Sequence, residues 1–132
     1  MESFEVRTHQ RTEWLDITAR VRDVVRRRGT RQGIVVVYCP HTTAAITINE
    51  NADPDVVHDA LAWLNRAVPQ HQPDFRHGEG NSDSHIKASL VGSSATLLVE
   101  GGNLVLGRWQ GVFFCEFDGP RTRTVQVEVL GG

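Results

Sequence analysis

The sequence predicts an α+β domain with a largely antiparallel, sandwich-like sheet and about three helices. Strand-like runs rich in β-branched residues cluster toward both ends of the chain, and helical patterns interrupt the middle. Short glycine turns separate the strands near the C-terminus, which favours antiparallel neighbours. The 132 residues fit one domain, residues 1–132, with a core of its own.

The first half of the chain is expected to hold four strands and one helix. Apolar residues at helical spacing predict a helix over residues 17–28, with Asp16 or Thr18 as its cap and Gly29 as its stop. Alternating and β-branched patterns predict two short strands within residues 3–16, and further strands over 33–39 and 42–49.

Two helices are predicted in the middle of the chain. Asp53 is a good N-cap and Pro54 suits the first helical position, so a helix is expected within residues 51–69. A polar loop follows, and then a short helix over residues 82–91. Ile86 and Leu90 are expected to anchor that helix in the core.

Four strands are predicted near the C-terminus, over residues 95–100, 104–106, 111–118 and 122–130. Alternation places Phe113, Cys115 and Phe117 on one face of the third, where they should be core. Cys115 and Cys39 both lie in apolar runs, so buried, inert thiols are favoured over ligands or nucleophiles. A disulfide requires the fold to bring them together.

The composition excludes several classes of protein. The net charge is −2, residues 1–10 lack the apolar core of a signal peptide, and no apolar run is long enough for a membrane helix. We therefore expect a cytoplasmic protein. The arginines near the end of the first helix predict a solvated face, and nucleic-acid binding is disfavoured because no aromatic residues interleave with them.

His41 and Glu50 are candidate site residues at opposite ends of one predicted strand. A histidine at a strand end can be a metal ligand, a general base or a phosphate donor, although it can also be an ordinary surface residue. Glu50 follows Ile46 and Ile48 on one strand face, where an acid is unfavourable unless it is paired. Helix capping is the favoured explanation of Asp53.

The densest polar segment covers residues 77–89. Its glycines allow close backbone approach to a ligand, and the helix that follows offers free N–H groups to an anion. His77 and His85 form a weak metal signal, which is strengthened if His41 converges on them. Lys87 is the only lysine among 14 strong bases, which favours a specific role over an ordinary pair with Asp83.

Two acids and an arginine follow at the end of the predicted strand 111–118. Glu116 and Asp118 lie in register on one face and can hold a cation or act as acid and base, or can mark where the face meets water. Arg121 follows a tight turn and could clamp an oxyanion.

Three long motifs together resemble the YjbQ-like family, known also as the secondary thiamine-phosphate synthase family. They are HTTAAITINENADPDV, HGEGNSDSHIKASLVGSS and LGRWQGVFFCEFDGPR, in the family's order. The resemblance covers nearly the whole chain, and no motif position clearly departs from the family pattern.

The resemblance implies a homotrimer with a site between subunits, formed by motif histidines and acids and in some members holding a metal. It implies weak thiamine-phosphate synthase activity, which joins a pyrimidine pyrophosphate to a thiazole phosphate. Acids could hold Mg²⁺ against the pyrophosphate while Lys87 and Arg121 bind phosphate oxygens. We expect the site residues to be, for catalysis, Glu50, His85, Lys87, Glu116 and Asp118; for substrate or anion binding, Asp53, Glu79, Asn81, Ser89 and Arg121; and for a divalent metal (Zn²⁺ or Mg²⁺), His41, His77 and His85.

Three functional hypotheses follow. The first is an enzyme acting on a small phosphorylated metabolite, with thiamine-phosphate synthase activity as its named form. The second is a metal-dependent hydrolase with a histidine-bound metal. The third is a non-catalytic trimeric module that holds an anion or nucleotide.

Overall fold

Two antiparallel sheets and three helices build the protein, for which a computed structural model describes residues 1–132. This architecture confirms the predicted α+β class. The elements in chain order are β1 (Glu2–Arg7), β2 (Glu13–Asp16), α1 (Thr18–Arg28), β3 (Gln32–Tyr38), β4 (Ala44–Glu50), α2 (Pro54–Ala67), α3 (Ser82–Val91), β5 (Ser94–Glu100), β6 (Asn103–Leu104), β7 (Gln110–Glu116) and β8 (Thr122–Gly131).

The main core lies between the two sheets. The five-stranded sheet has the order β1-β8-β3-β5-β6, and the three-stranded sheet has the order β2-β7-β4. The core joins Val35 and Val127 of the larger sheet to Ile46 and Phe114 of the smaller one, with Val21 of α1 packed against both. The sheets therefore pack in a sandwich-like arrangement, as the strand pattern predicts.

Strand β7 is buried on both of its faces. Phe114 points into the main core, whereas Phe113, Cys115 and Phe117 join a second core that includes Leu64 of α2. The predicted burial of the alternate residues Phe113, Cys115 and Phe117 is confirmed. The opposite face is buried as well, because the main core covers it.

Helix ends follow the sequence signals at α1 and α2. Gly29 ends α1 in the left-handed conformation at φ 68°, which a glycine adopts without steric penalty. At α2 the side chain of Asp53 accepts a hydrogen bond from the amide of Asp55 at 2.9 Å, and Pro54 occupies the first helical position. The predicted cap and first residue of α2 are confirmed.

The predicted apolar anchor of α3 is wrong. Ile86 is 39% exposed and Leu90 is 63% exposed, whereas Asp83 and Lys87 are almost completely buried. The helix is rotated so that its charged face points inward, because Asp83 finds a partner there in Arg11 of the β1–β2 loop. Ion pairing with a residue distant in sequence thus determines which face of α3 is buried, although the apolar spacing predicts the other face.

Both cysteines are free and buried, which confirms their predicted burial. Burial raises the pKa of the Cys39 thiol and raises that of Cys115 well above its ordinary value. Both thiols are therefore protonated and poorly nucleophilic at neutral pH.

None of the three helices is long and apolar enough to cross a membrane. On α1, Arg27 pairs with Glu2 and Arg28 pairs with Glu128, all on the protein surface.

Two strands are shorter than predicted at the same edge of the small sheet. Strand β4 begins at Ala44 instead of residue 42, and β7 ends at Glu116 instead of Asp118. Ala44 lies opposite Glu116 in the antiparallel register, so β4 begins where β7 ends. The loop before β4 and the loop after β7, together with the start of α3, surround a polar pocket.

Candidate functional site

A polar pocket of about 420 Å³ lies at this edge of the small sheet. Pro40 is its only apolar lining residue, although most ligand cavities are lined mainly by apolar side chains. The pocket brings together seven of the predicted site residues with four others. The lining consists of Pro40, His41, Thr42, Thr43, His77, Glu79, Asn81, His85, Asp118, Arg121 and Arg123.

A buried ion pair between Arg123 and Glu116 forms the floor of the pocket. Arg123 is 3% exposed and Glu116 is 0% exposed. The Glu116 carboxylate accepts hydrogen bonds from Arg123 Nε at 2.9 Å, from Thr8 Oγ1 at 2.8 Å and from the Asp118 amide at 3.1 Å. Arg123 Nη2 also donates to Thr43 Oγ1 at 2.9 Å. The pair thereby links the segments that carry Thr8, Thr43 and Asp118 beneath the pocket.

The charge of Glu116 is stabilised by these contacts. Burial acts to raise the pKa of Glu116, but the hydrogen bonds from Arg123, the Asp118 amide and Thr8 outweigh burial and lower it. The carboxylate is therefore ionised at neutral pH and compensates the buried guanidinium of Arg123.

One wall of the pocket is a chain of polar contacts centred on Asp118. Asn81 Nδ2 donates to Asp118 Oδ2 at 2.8 Å, and Arg121 Nη2 donates to the same oxygen at 3.0 Å. Asn81 is the N-cap residue of α3, yet its side chain makes no capping bond: its Nδ2 donates to Asp118, and its buried Oδ1 has no hydrogen-bond partner. The Arg121 side chain is half exposed and keeps further N–H donors for a ligand.

His41 is a neutral imidazole in the loop just before β4. Its Nε2 accepts a hydrogen bond from the Thr124 amide at 2.9 Å. Burial, together with the nearby charge of Arg123, lowers the pKa of His41 below its ordinary value of 6.5. At neutral pH the proton of the ring therefore resides on Nδ1, which is a hydrogen-bond donor.

His77 and His85 form a pair on the opposite wall. Their ring centroids are 5.3 Å apart in an edge-to-face arrangement. Glu79 approaches His77 with 3.9 Å between Oε2 and Nε2. Both histidines line the polar pocket and also a neighbouring cavity.

The predicted three-histidine metal site is only partly compatible with this geometry. His41 directs its Nε2 lone pair to the backbone of Thr124, so that nitrogen is not available to a metal. No group of three or more His, Cys, Asp or Glu side chains is arranged to hold a metal ion. His77 and His85 remain suitable as a pair, and the divalent metal stays a prediction.

Five predicted site residues do not line the polar pocket: Glu116 lies beneath it, Lys87 lies behind its wall, and Glu50, Asp53 and Ser89 lie elsewhere. Glu50 is the last residue of β4 and Asp53 follows it, at the far end of a strand whose seven residues span about 20 Å of extended chain. There Glu50 accepts a hydrogen bond from the Asp53 amide at 3.2 Å, next to the cap of α2. Ser89 donates to the His85 carbonyl at 2.9 Å and lines an adjoining cavity with His41.

Lys87 lies behind the pocket wall, within the protein. It is 2% exposed, and its Nζ donates to Asp83 at 2.9 Å and to Asn65 at 2.8 Å. Asp83 also receives a bidentate contact from Arg11, with both distances 3.0 Å. This network holds α3, and with it His85, against the rest of the fold.

Arg123 is a pocket residue that none of the sequence motifs predicted. It lies on β8 in alternation with Val125, Val127 and Val129, which are all buried. An arginine in register with three buried valines requires a buried anion. That alternation is the signal by which the sequence could have revealed it.

The fold and this pocket define a small α+β protein with a histidine-rich polar pocket at one sheet edge. The chain belongs to the YjbQ-like family, since the family model described as UPF0047 protein YjbQ-like matches residues 2–132. This confirms the resemblance that the three motifs indicate.

Relatives and solved structures agree with the family assignment. The chain is 48% identical over 132 residues to the UPF0047 protein YugU of Bacillus subtilis, covering 99% of each chain. It is 48% identical over 128 residues to a UPF0047 protein of Methanocaldococcus jannaschii, covering 97% of this chain and 92% of that one. A crystal structure of an uncharacterized conserved protein of this family from Clostridium acetobutylicum superposes with a TM-score of 0.96 at 49% identity, covering 98% of this chain and 100% of that one. The names of these relatives specify no reaction.

Proposed function

We propose that the chain is an enzyme acting on a small phosphorylated metabolite, with weak thiamine-phosphate synthase activity as the named form of the proposal. The observation that carries it is the polar pocket itself, in which three histidines lie with Arg121 and Asp118 and in which Pro40 is the only apolar side chain. Such a lining suits a compound whose bound part is highly charged and whose reaction moves protons.

Arg121 is the phosphate-binding residue in this proposal. Its guanidinium is half exposed and anchored through Asp118, so a phosphate oxygen can reach the free N–H groups. Arg123 is less available, because Glu116 and Thr43 already accept its hydrogen bonds. The start of α3 adds a partial positive charge on the side of Asn81.

The histidines supply the proton chemistry. In the synthase reaction the carbon–oxygen bond to pyrophosphate breaks, and that carbon forms a bond to the thiazole nitrogen. Negative charge develops on the leaving pyrophosphate oxygen, where an N–H donor or a proton is stabilising. His41, neutral with its proton on Nδ1, and His85, half-buried at the pocket wall, are the donors that this proposal assigns to such a group.

The homotrimer is part of the same proposal. It follows from the family resemblance, and Leu90 and Leu98, which are 63% and 61% exposed, are large apolar side chains that a second copy could cover.

Binding of inorganic pyrophosphate tests the proposed role of Arg121. We expect Arg121→Gln to weaken pyrophosphate binding by about 10- to 100-fold, since a hydrogen bond to a charged group contributes about 1.5–3 kcal/mol. The matched control is Arg20→Gln, because Arg20 lies over Phe4 on another surface. Isothermal titration calorimetry measures both. Equal pyrophosphate affinities in the two variants would contradict the proposal.

Turnover distinguishes the enzyme from a binding module. With the pyrimidine pyrophosphate and thiazole phosphate as substrates, His85→Ala should lower the rate of thiamine phosphate formation by about 100-fold or more. Pyrophosphate binding without turnover in the wild type would favour the non-catalytic module. Hydrolysis of phosphate esters that a chelator stops would favour the metal-dependent hydrolase.

Zinc titration tests which histidines can hold a metal. We expect Zn²⁺ to bind through His77 and His85, and His85→Ala to weaken binding by more than about tenfold, because even second-shell partners of metal sites are worth about 10- to 100-fold. His41→Ala is the matched control and should leave Zn²⁺ affinity unchanged, since its Nε2 is bonded to the Thr124 amide. Equal losses in both variants would restore the three-histidine site.

A further inference from the structure

A separate cavity lies between α1 and the hairpin that joins β5 to β6. Its volume is about 250 Å³, and its lining shares no residue with the polar pocket. The lining consists of Arg22, Arg26, Gly102, Asn103 and Leu104. We name this space the arginine cavity.

The hairpin side of the arginine cavity is fixed by the backbone. Gly101 and Gly102 form the turn with φ of 58° and 79°, a conformation that glycine adopts without steric penalty. The Gly102 amide donates a hydrogen bond to the Arg31 carbonyl at 3.0 Å, which links the turn to the segment after α1. Leu104 belongs to the main core. The shape of the cavity is therefore set by the fold itself.

The helix side of the cavity carries two arginines. Arg22 and Arg26 are four residues apart, so their side chains are neighbours on one face of α1. Like charges at this spacing destabilise a helix. An anion bound between the two guanidinium groups would replace this repulsion with attraction.

Neither of these arginines is compensated by a close ion pair. Arg26 approaches Asp23 only to 3.9 Å between Nη1 and Oδ1, and both side chains are more than half exposed. Such a pair contributes little at the surface. Arg22 forms no salt bridge, and Asp16, with which it interacts electrostatically, already accepts hydrogen bonds from two other residues.

Other arginines of α1 are explained without a ligand. Arg27 pairs with Glu2 at 2.8 Å, and Arg28 pairs with Glu128 at 3.1 Å. The helix macrodipole favours cations in the last turn, but this effect does not extend to Arg22 in the middle of the helix. A solvated basic face therefore accounts for the end of α1 and leaves the arginine cavity unexplained.

We infer that the arginine cavity binds a small free oxyanion of the phosphate class. Guanidinium groups present paired N–H donors that match phosphate oxygens. Asn103 donates one amide N–H to the Gly101 carbonyl at 3.2 Å and keeps a second one for the anion. The cavity is smaller than the range of about 300–1,000 Å³ that larger ligands occupy, which favours an inorganic anion over a nucleotide. This site goes beyond the proposed function and does not depend on it.

Titration with inorganic phosphate, followed through the amide NMR signals of Gly102 and Asn103, tests the inference. We expect both signals to shift along a saturable curve, and potassium chloride at equal ionic strength to leave them in place. Arg22→Gln combined with Arg26→Gln should weaken phosphate binding at these amides by about tenfold or more, because hydrogen bonds to charged groups are strong. Both arginines are exposed, so the double variant should keep the fold.

Arg27→Gln combined with Arg28→Gln is the matched control. It removes the same two positive charges from the same helix but lies outside the cavity. Phosphate affinity at Gly102 should therefore stay within about twofold of the wild type, since exposed distant charges are largely screened by salt. Equal losses in the two double variants would show an effect of net charge alone and would overturn the inference. Shifts that chloride reproduces would overturn it as well.

Arg121→Gln separates this site from the polar pocket. The variant should retain the phosphate response of Gly102, because the two linings have no residue in common. Loss of that response in Arg121→Gln would overturn the inference. A wild type that binds pyrophosphate at Arg121 but shows no phosphate response at Gly102 would overturn the inference and leave the proposed function standing.

Discussion

Replacement of Glu116 by alanine is expected to lower the free energy of unfolding by about 3–5 kcal/mol, because removing one partner of a buried ion pair leaves the other charge uncompensated. Glu116 is completely buried, and Arg123 would remain with 3% exposure and no counter-charge. Thr8 and the Asp118 amide would lose their acceptor as well. Urea denaturation followed by circular dichroism measures the change.

A double variant separates the ion pair from simple loss of volume. Glu116→Leu combined with Arg123→Met removes both charges and keeps apolar bulk, so it should recover much of the stability that Glu116→Ala loses. A double variant no more stable than Glu116→Ala would show that shape, and not the unpaired charge, dominates.

Acid should reproduce part of this effect in the wild type. The folded pKa of Glu116 is lower than its ordinary value of 4.5, so its contribution to stability is present above about pH 4.5 and is lost as pH falls through the folded pKa. Glu116→Gln carries no titrating group at this position. Its stability should therefore decline less than that of the wild type as the pH is lowered below about 4.5.

The second large effect is expected at Asp83. Asp83→Ala would leave Lys87 buried at 2% exposure without its anion and would remove the partner of Arg11, so we expect a loss of about 3–5 kcal/mol in the free energy of unfolding. Lys87→Met should cause a smaller loss, since Asp83 would still be paired with Arg11.

An exposed acid gives the control for Asp83. Asp59 pairs with His58 at the surface, where both side chains are more than three-quarters exposed, so Asp59→Ala should change stability by less than about 1 kcal/mol. Thermal and urea unfolding of the three variants give the order of their stabilities directly. A loss for Lys87→Met equal to that for Asp83→Ala would contradict the assigned role of Arg11.

Local sequence signals predicted most of the fold. Asp53 and Pro54 mark the start of α2, Gly29 marks the end of α1, and alternation identifies the buried face of β7 that carries Phe113. These features depend on neighbours within a few residues. The rotation of α3 could not be predicted in this way, because Arg11, which draws Asp83 inward, lies 72 positions away.

The same distinction applies to the site. The motifs identified His41, His77 and His85 individually, but their convergence depends on how the ends of β4 and β7 meet the start of α3. Glu50 looked like a site residue because it shares a strand face with Ile46 and Ile48, yet the strand carries it about 20 Å from the polar pocket.

The double burial of β7 gives the polar pocket two walls of unequal stiffness. The wall at the end of β7 is fixed by both cores and by the Glu116–Arg123 pair, so its amides should be among the slowest to exchange with solvent. The facing wall, from residues 70 to 80, is mostly exposed loop and makes few core contacts. Substitutions in that loop can alter which compound fits beside His77 without unfolding the protein. Selectivity in such a molecule can therefore change independently of its stability.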